Sequence, residues 1–339
     1  MATQSPEQCA DRAGARTRAR PLPFVSFVVI GRNEEKHLRQ CLDSVCRQDY
    51  GGPTEVIYVD GQSTDRSREI ATGVPGVAVL SVVDGTPSAA KGRNCGWRHA
   101  RGELIQFVDG DAALRPAWTA HAVAVLEAET AAAVFGHFEE RHPEHSLYNR
   151  VLGMDWPRES GTTDTFGGIV MIRRRHLMDT GGFPEDSQTG EDPLLALELR
   201  GRGHAILQTA EPMADHDLDI LDFATYWRRS VRTGVAFAEM LGPKRKLGVA
   251  LHRTRTARNL GCAAALIVLF AAAWIWPWVG AVAVALAVAD MTRLTVLARP
   301  RAASWPIALA YAVHLRLSMA AETVGFFRWL SHRRRTTRN

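Results

Sequence analysis

Several things are scarce in this chain, and each scarcity removes an option. Cys9, Cys41, Cys46, Cys95 and Cys262 are odd in number and lack metal-ligand spacing, so the cysteines read as reduced thiols of a cytosolic protein. Cys41 and Cys46 fall on a helical pattern as small core residues. Met1 to Pro21 has no apolar h-region, so it is not expected to be a secretory signal. With Arg12, Arg16, Arg18 and Arg20 it reads as a disordered basic arm. Basic clusters recur at 244–258 and in the last dozen residues, but aromatics that could stack bases do not interleave with them. That sets nucleic acid aside as a partner. Charge itself is scarce in one place: Leu260 to Leu297 carries one acid, Asp290, and one base, Arg293.

What is present suffices for a sizeable core, since 46% of the 339 residues are hydrophobic, in one large domain or two ordinary ones. The organising stretch is Leu104-Ile105-Gln106-Phe107-Val108-Asp109-Gly110-Asp111. An apolar run of strand length ends in two carboxylates, the position where open α/β sheets bind ligands. Two such oxygens can hold a hard divalent cation, and the cation a diphosphate. The plainer alternative is a turn, because Asp-Gly-Asp is good turn chemistry.

Phe24 to Ile30 is a second apolar run, consistent with a buried parallel strand ended by Gly31. From Arg32-Asn33-Glu34-Glu35 a helix is expected, with Leu38, Cys41, Leu42, Val45 and Cys46 on one face. Glu55 to Asp60 is another strand ending in an acid, followed by a helix capped by Ser63 or Thr64. Val77 to Val83 reads as a strand, Ser88 to Ala100 as a helix and Leu104 to Val108 as a strand. This alternation predicts a parallel, doubly wound sheet. Pro116 opens a helix to about Glu127, and Ala131 to Phe138 is a strand. Glu139 to Thr165 reads as a long loop with a short helix near Tyr148, a length that is usually functional. Gly167 to Ile172 returns a strand to the core. Leu194 to Arg202 is a helix with Pro193 at its first position, and Asp222 to Met240 is an arginine-rich helix.

The 38 residues from Leu260 to Leu297 are too many for one membrane crossing and about right for a hairpin of two, at roughly 20 residues each. Trp274-Ile275-Trp276-Pro277-Trp278-Val279-Gly280 suits the turn. A buried soluble hairpin is the alternative. Lys244, Arg245, Lys246, Arg253, Arg255 and Arg258 precede the hairpin, and Arg299 and Arg301 follow it. By the positive-inside rule these flanks, and the large domain, face the cytoplasm and the anionic lipids of the plasma (inner) membrane. In Trp305 to Leu330, His314, Ser318, Glu322 and Gly325 share one helical face with Arg316 nearly opposite. An interfacial or re-entrant helix is expected there.

With these pieces placed, residues 24–240 resemble a family 2 glycosyltransferase of the GT-A fold. The landmarks, in order, are Val28-Val29-Ile30-Gly31-Arg32-Asn33-Glu34-Glu35, Val59-Asp60-Gly61-Gln62-Ser63-Thr64-Asp65, Lys91-Gly92-Arg93-Asn94, Asp109-Gly110-Asp111, Gly190-Glu191-Asp192 and the helix carrying Arg229 and Arg232. Each is weak alone; six in order over two thirds of the chain make a strong signal. The resemblance implies an inverting transfer of a sugar from a nucleotide-diphosphate donor. Gly31, Asn33, Glu34, Asp60, Ser63, Lys91, Arg93, Asn94, Asp109, Gly110, Asp111, Arg229 and Arg232 would contact that donor. Asp60 would accept from the uracil or other base ring, and Asp109 would approach the ribose or the metal. Asp111 would ligate Mg²⁺ or Mn²⁺.

Asp192 matches the family's general base, with Glu191 as runner-up. An Asp before a Pro at the first helical position is equally a good N-cap. His216, in a loop before the arginine-rich helix, is a candidate metal ligand or a solvated histidine. Lys91 and Arg93 are diphosphate or base contacts, or a solvated helix start. Gly167 and Gly168 allow close backbone approach to sugar or acceptor, or simply turn the chain into a strand.

Gly31 stands where many relatives carry Pro. Tyr226-Trp227-Arg228-Arg229-Ser230-Val231-Arg232 is not the Gln-x-x-Arg-Trp of processive synthases, and one short hairpin is too little for a translocation channel. Single-sugar transfer to a lipid-linked or membrane-proximal saccharide is the resulting expectation. A non-catalytic nucleotide-sugar-binding scaffold and a polyprenyl-phosphate sugar synthase are the alternatives. The expected organisation is a basic arm (1–22), a GT-A domain (23–242), a basic linker (243–259), a membrane hairpin (260–298), an amphipathic or third membrane helix (303–330) and a basic tail (331–339).

Overall fold

The computed structural model describes residues 21–83, 85–156, 158–186, 190–240 and 250–336. Most of the expected basic arm, the linker residues Lys244, Arg245 and Lys246, and the end of the tail lie outside them. Four strands form the first half of the sheet: β1 (Val25–Gly31), β2 (Thr54–Asp60), β3 (Val77–Ser81) and β4 (Leu104–Asp109). They alternate with helices α1 (Leu38–Cys46), α2 (Ser67–Thr72) and α3 (Ala89–His99). The order β3-β2-β1-β4 is parallel throughout. Strands buried on both faces need continuous apolar sequence, and β1 supplies it. Successive strands step from β1 outward to β3, and the chain then crosses back to place β4 on the other side of β1. A cleft must open between the carboxyl ends of β1 and β4, because their connections leave in opposite directions. The register sets Gly31 beside Asp60 and Ile30 beside Asp109, so two acids flank the end of β1.

The second half is mixed. β5 (Ala112–Leu114), α4 (Trp118–Ala128), β6 (Ala133–Glu140), α5 (Leu147–Gly153), β7 (Gly161–Thr162), β8 (Val170–Arg173), α6 (Arg174–Thr180), α7 (Glu191–Gly201) and β9 (Ile206–His216) follow. β8 runs antiparallel between β4 and β6, β9 runs parallel to β6, and β5 lies antiparallel to β9. The sheet is therefore parallel in its first half and mixed beyond it.

Some boundaries differ from the sequence reading. α1 starts at Leu38, not near Arg32, because Asn33 adopts φ 60° and the next residues are tied to the β2–α2 loop. Neither Ser63 nor Thr64 caps α2, which starts at Ser67. Ser63 Oγ instead accepts from the N–H of Asn33. α7 starts at Glu191 behind Gly190 at φ 78°, so Asp192 lies within the first turn and is not the N-cap, and Pro193 is not the first helical residue. His216 closes β9 and does not sit in a loop.

α8 (Phe223–Met240), α9 (Ala250–Ile275), α10 (Pro277–Ala298) and α11 (Trp305–Thr336) complete the chain. Thr254–Ile275 and Pro277–Ala298 are long and apolar enough to cross a membrane, with mean hydropathies of 1.7 and 1.8. Their leucines, valines and tryptophans point outward, Trp274 being 86% exposed. Pro277 occupies the first turn of α10, where its missing N–H costs nothing. α11 turns its polar face inward: His314, Ser318 and Glu322 are buried, while Leu309, Val313, Leu317, Val324 and Phe327 are exposed. Glu322 accepts from Arg255 Nη2 at 2.6 Å and Asn259 Nδ2 at 2.7 Å, both on α9. Arg316 pairs with Asp290 of α10. Gly234 of α8 and Gly325 of α11 meet backbone to backbone, where a Cβ on either would overlap the other helix.

Candidate active site

A cavity of about 320 Å³ lies in the cleft at the ends of β1, β2 and β4. Gly31, Glu34, Asp109, Gly110 and Asp111 line it, together with Arg32, Gly61 and the Pro87–Ala89 segment ahead of α3. Gly31 and Gly110 are glycines for space: a Cβ on Gly31 would press on Glu34 and Tyr58, and one on Gly110 on Ile30 O at 3.1 Å. Asp60 is buried beside the cavity, its Oδ2 accepting from Ser63 N–H at 3.1 Å and its Oδ1 from Tyr58 O–H at 3.3 Å. Each oxygen keeps a lone pair for a further donor.

The loops after β1 and β2 are laced together. Asn33 Oδ1 accepts from Thr64 N–H at 2.8 Å, Ser67 Oγ from Glu34 N–H at 2.8 Å, and Asp65 Oδ2 from Glu35 N–H at 3.1 Å. Asn33 and Ser63 thus hold the cavity's rim and do not line it. Asn94 also faces away: it donates to Phe183 O and Glu185 and accepts from Trp97 Nε1 and Phe183 N–H. With all its capacity used, it latches α3 to the loop before α7 instead of reaching a donor. Lys91 Nζ donates to Thr86 O at 3.0 Å, closing the loop that forms the cavity wall.

Arg93 is the hub. It is 3% exposed, and its guanidinium pairs with Asp109 Oδ1 at 2.8 Å, Glu191 Oε1 at 2.7 Å and Asp192 Oδ1 at 3.2 Å. Burial alone would disfavour its charge, but the three carboxylates reverse this and push its pKa up. A Cβ on Gly168 would overlap Arg93 Nη2 and Asp109 Oδ2, so this glycine lets the β8 approach close over the pair; Gly167 faces open space. Asp192 is pushed up to about 7, first by burial, against Arg93, and then by Glu191 and Asp109. Its Oδ1 lies against Arg93 but is not aligned for a hydrogen bond, which leaves that atom buried without a partner.

On the other side of Asp109, the β5–β9 ladder sets His216 beside Ala112 and so next to Asp111. His216 Nε2 is 3.4 Å from Asp111 Oδ2. Asp111 Oδ1 and His216 Nδ1 are buried without hydrogen-bond partners. Burial holds Asp111 above its ordinary value, with His216 opposing and Asp109 adding. Glu34 is raised to about 7 by burial and then by Asp111, Asp109 and Asp65. Crowded acids with one orphaned oxygen, Asp111 Oδ1, beside a histidine fit a hard divalent cation. Arg229, on α8, is lowered by desolvation and by Arg232, while Asp111, Asp155 and Glu140 act the other way. Arg229 thus borders the same acidic field.

Trp156, which the sequence reading passed over, stands edge-on to His216 with ring centroids 6.0 Å apart and packs on Phe138 at 5.6 Å. Its sequence signal is slight, one of two aromatics, with Tyr148, in the long polar loop. Tyr58 and the Pro87–Ala89 wall were equally invisible.

Residues 26–182 match the model of Glycosyl transferase family 2. An N-acetylglucosaminyltransferase from Azorhizobium caulinodans is 27% identical over 289 residues, 76% of this chain and 72% of that protein. The uncharacterized glycosyltransferase EpsJ of Bacillus subtilis is 38% identical over 94 residues, and this chain spans only 26% of its length. A mannosyltransferase from Pyrobaculum calidifontis, solved with GDP-Man and Mn²⁺, has the same fold: TM-score 0.61 at 23% identity, covering 90% of this chain and 88% of that one. Residues 26–182 are thus similar in sequence to the family 2 glycosyltransferases, and the chain shares its fold with a solved mannosyltransferase.

Proposed function

We propose that this enzyme moves one sugar, with inversion, from a nucleotide-diphosphate sugar, most simply a UDP-sugar, to a lipid-linked or membrane-proximal saccharide at the cytoplasmic face of the plasma membrane. The observation that carries the reading is Asp192: a carboxylate only 18% exposed, its pKa raised to about 7, on the same arginine that holds Asp109. A general base works best when its pKa lies near the operating pH. Asp192 would take the proton of the acceptor hydroxyl on the side of its carboxylate turned away from Arg93, as the hydroxyl oxygen attacks the anomeric carbon and the nucleotide diphosphate departs. Glu191 and Arg93 would fix its orientation.

Asp109, Asp111 and His216 would hold Mg²⁺ or Mn²⁺, which when bound supplies charge neutralisation to the departing diphosphate. Asp60 would accept from the base ring, and Arg229 and Arg232 would add positive charge at the phosphates. Residues 23–242 would form the transferase unit. Residues 260–298 would anchor it as a hairpin, with the outward apolar stripe of α11 facing lipid.

The test is a panel of nucleotide sugars scored by nucleotide release, with membrane lipid extract as acceptor and EDTA as control. Acceptor-dependent, EDTA-sensitive release from one donor is expected. Tight donor binding with no release for any acceptor would overturn the reading in favour of a binding scaffold.

A further inference from the structure

We infer that His314 on α11 is a positioning residue of the transferase site, acting through Asp155 on Trp156. Its ring is 5% exposed and bridges two elements far apart in sequence. His314 Nε2 lies 2.8 Å from Asp155 Oδ2, and Nδ1 lies 2.8 Å from Tyr226 Oη. A carboxylate only accepts, so Nε2 carries the proton, and Nδ1 accepts from the tyrosine hydroxyl. Tyr311 O–H, one helical turn back on α11, donates to the other oxygen, Asp155 Oδ1, at 2.8 Å. The result is a directional chain in which both ring nitrogens and both tyrosine hydroxyls are engaged, running from α8 through α11 to the loop after α5.

That loop is otherwise exposed at Asp155, and its next residue forms part of the site. Met154 packs on the small apolar cluster of Ala298, Ala302, Ile307 and Ala308. Trp156 then leaves α11 and stands against His216, which adjoins Asp111. Tyr226 shares a cluster with Leu218 and Ile220, against which Trp156 also packs. Three residues beyond Tyr226 is Arg229. Two side chains that border the acidic centre, Trp156 and Arg229, therefore take their placement from one buried histidine on a helix outside the transferase core. A hydrogen-bonded relay of this kind holds position because breaking its links at the buried His314 leaves a buried ring nitrogen unpaired.

The inference rests on the reading of Asp111 and His216 as part of the catalytic centre. Its test is a double-mutant cycle on kcat/KM in the full-length chain, using His314→Ala, Trp156→Ala and the pair. Each single change is expected to cost about ten- to hundredfold, the range for misplacement by remote changes. If His314 acts through Trp156, the double variant falls no further than the worse single one. His314→Gln, which can still donate to Asp155, recovers part of the loss. Losses that multiply, or no loss in Trp156→Ala, would overturn the inference and leave the proposed function standing. Hydrogen exchange gives a readout that needs no turnover: His314→Ala should speed exchange at residues 154–156 and 216–218 and leave β1 and β4 unchanged. Unaltered exchange at 154–156 would refute it even if every donor on the panel failed.

Discussion

Replacing Asp192 by Asn removes the proposed proton acceptor while keeping the side chain's shape and one oxygen for Arg93. General base catalysis is worth about 10²–10⁴ in rate, which corresponds to about 2.7–5.4 kcal/mol of barrier. Donor affinity, measured by calorimetry with the unhydrolysed nucleotide, should change little. The pH profile is the sharper test. Asp192 is held up to about 7 from an ordinary value of 3.8. Half of the free enzyme therefore carries the active carboxylate at pH 7, and kcat/KM should fall about tenfold per pH unit below that. The Asn variant should lose this limb.

Stability follows with its own sign. A carboxyl whose folded value is raised binds its proton more tightly when folded, so the stability it contributes is present below 3.8 and lost as pH rises through about 7. Urea unfolding should show the Asn variant gaining on the wild type between pH 4 and pH 8. Transfer within tenfold of wild type, or a flat wild-type profile between pH 5 and 8, would refute the assignment.

Three further outcomes are expected. Arg93→Met leaves Asp109, Glu191 and Asp192 without their shared cation, a loss of about 3–5 kcal/mol in unfolding free energy at pH 8; the loss should shrink at pH 5 as Asp192 protonates. Gly168→Ala places a methyl into Arg93 and Asp109 and should cut kcat/KM by about a hundredfold with the circular dichroism spectrum unchanged. Mn²⁺ should raise the melting temperature of the wild type, and Asp111→Asn should abolish that shift, because the orphaned Oδ1 and the crowding of Glu34, Asp109 and Asp111 are what a cation would relieve.

Residues whose role is written in local pattern were readable in advance. β1, β2 and β4 announce themselves as apolar runs, and parallel pairing then carries Asp60 and Asp109 to neighbouring strand ends without further information. β9 was not readable. Its sequence, ILQTAEPMADH, is broken by Glu211 and Pro212, and only pairing with β6 makes it a strand. The ladder shifts register around His137 and Pro212, the kind of irregularity that lets a proline sit within a sheet. Missing β9 put His216 in a loop and hid why it lies beside Asp111. Arg93 shows a different limit. An arginine two residues after Lys91 suggested a phosphate contact, but its three carboxylate partners come from distant parts of the chain, and no local pattern encodes such a meeting.

α11 carries the same lesson further. Its polar residues at 314, 318 and 322 read as a face for water or headgroups, because a helix considered alone has no other use for them. The packed helix has partners for two of them: His314 joins Tyr226 and Asp155, and Glu322 joins Arg255 and Asn259. Once those groups are satisfied inside, the outward face is left with Leu309, Val313, Leu317, Val324 and Phe327. Contiguous apolar exposure of this sort is favourable only against lipid or another apolar surface. Gly234 and Gly325 bring α8 and α11 so close that a side chain at either position would meet the other helix's backbone. The arginines of α8 and the loop carrying Trp156 are consequently fixed relative to the helix that presents this stripe. Anything that displaces α11 must also disturb the groups bordering Asp111.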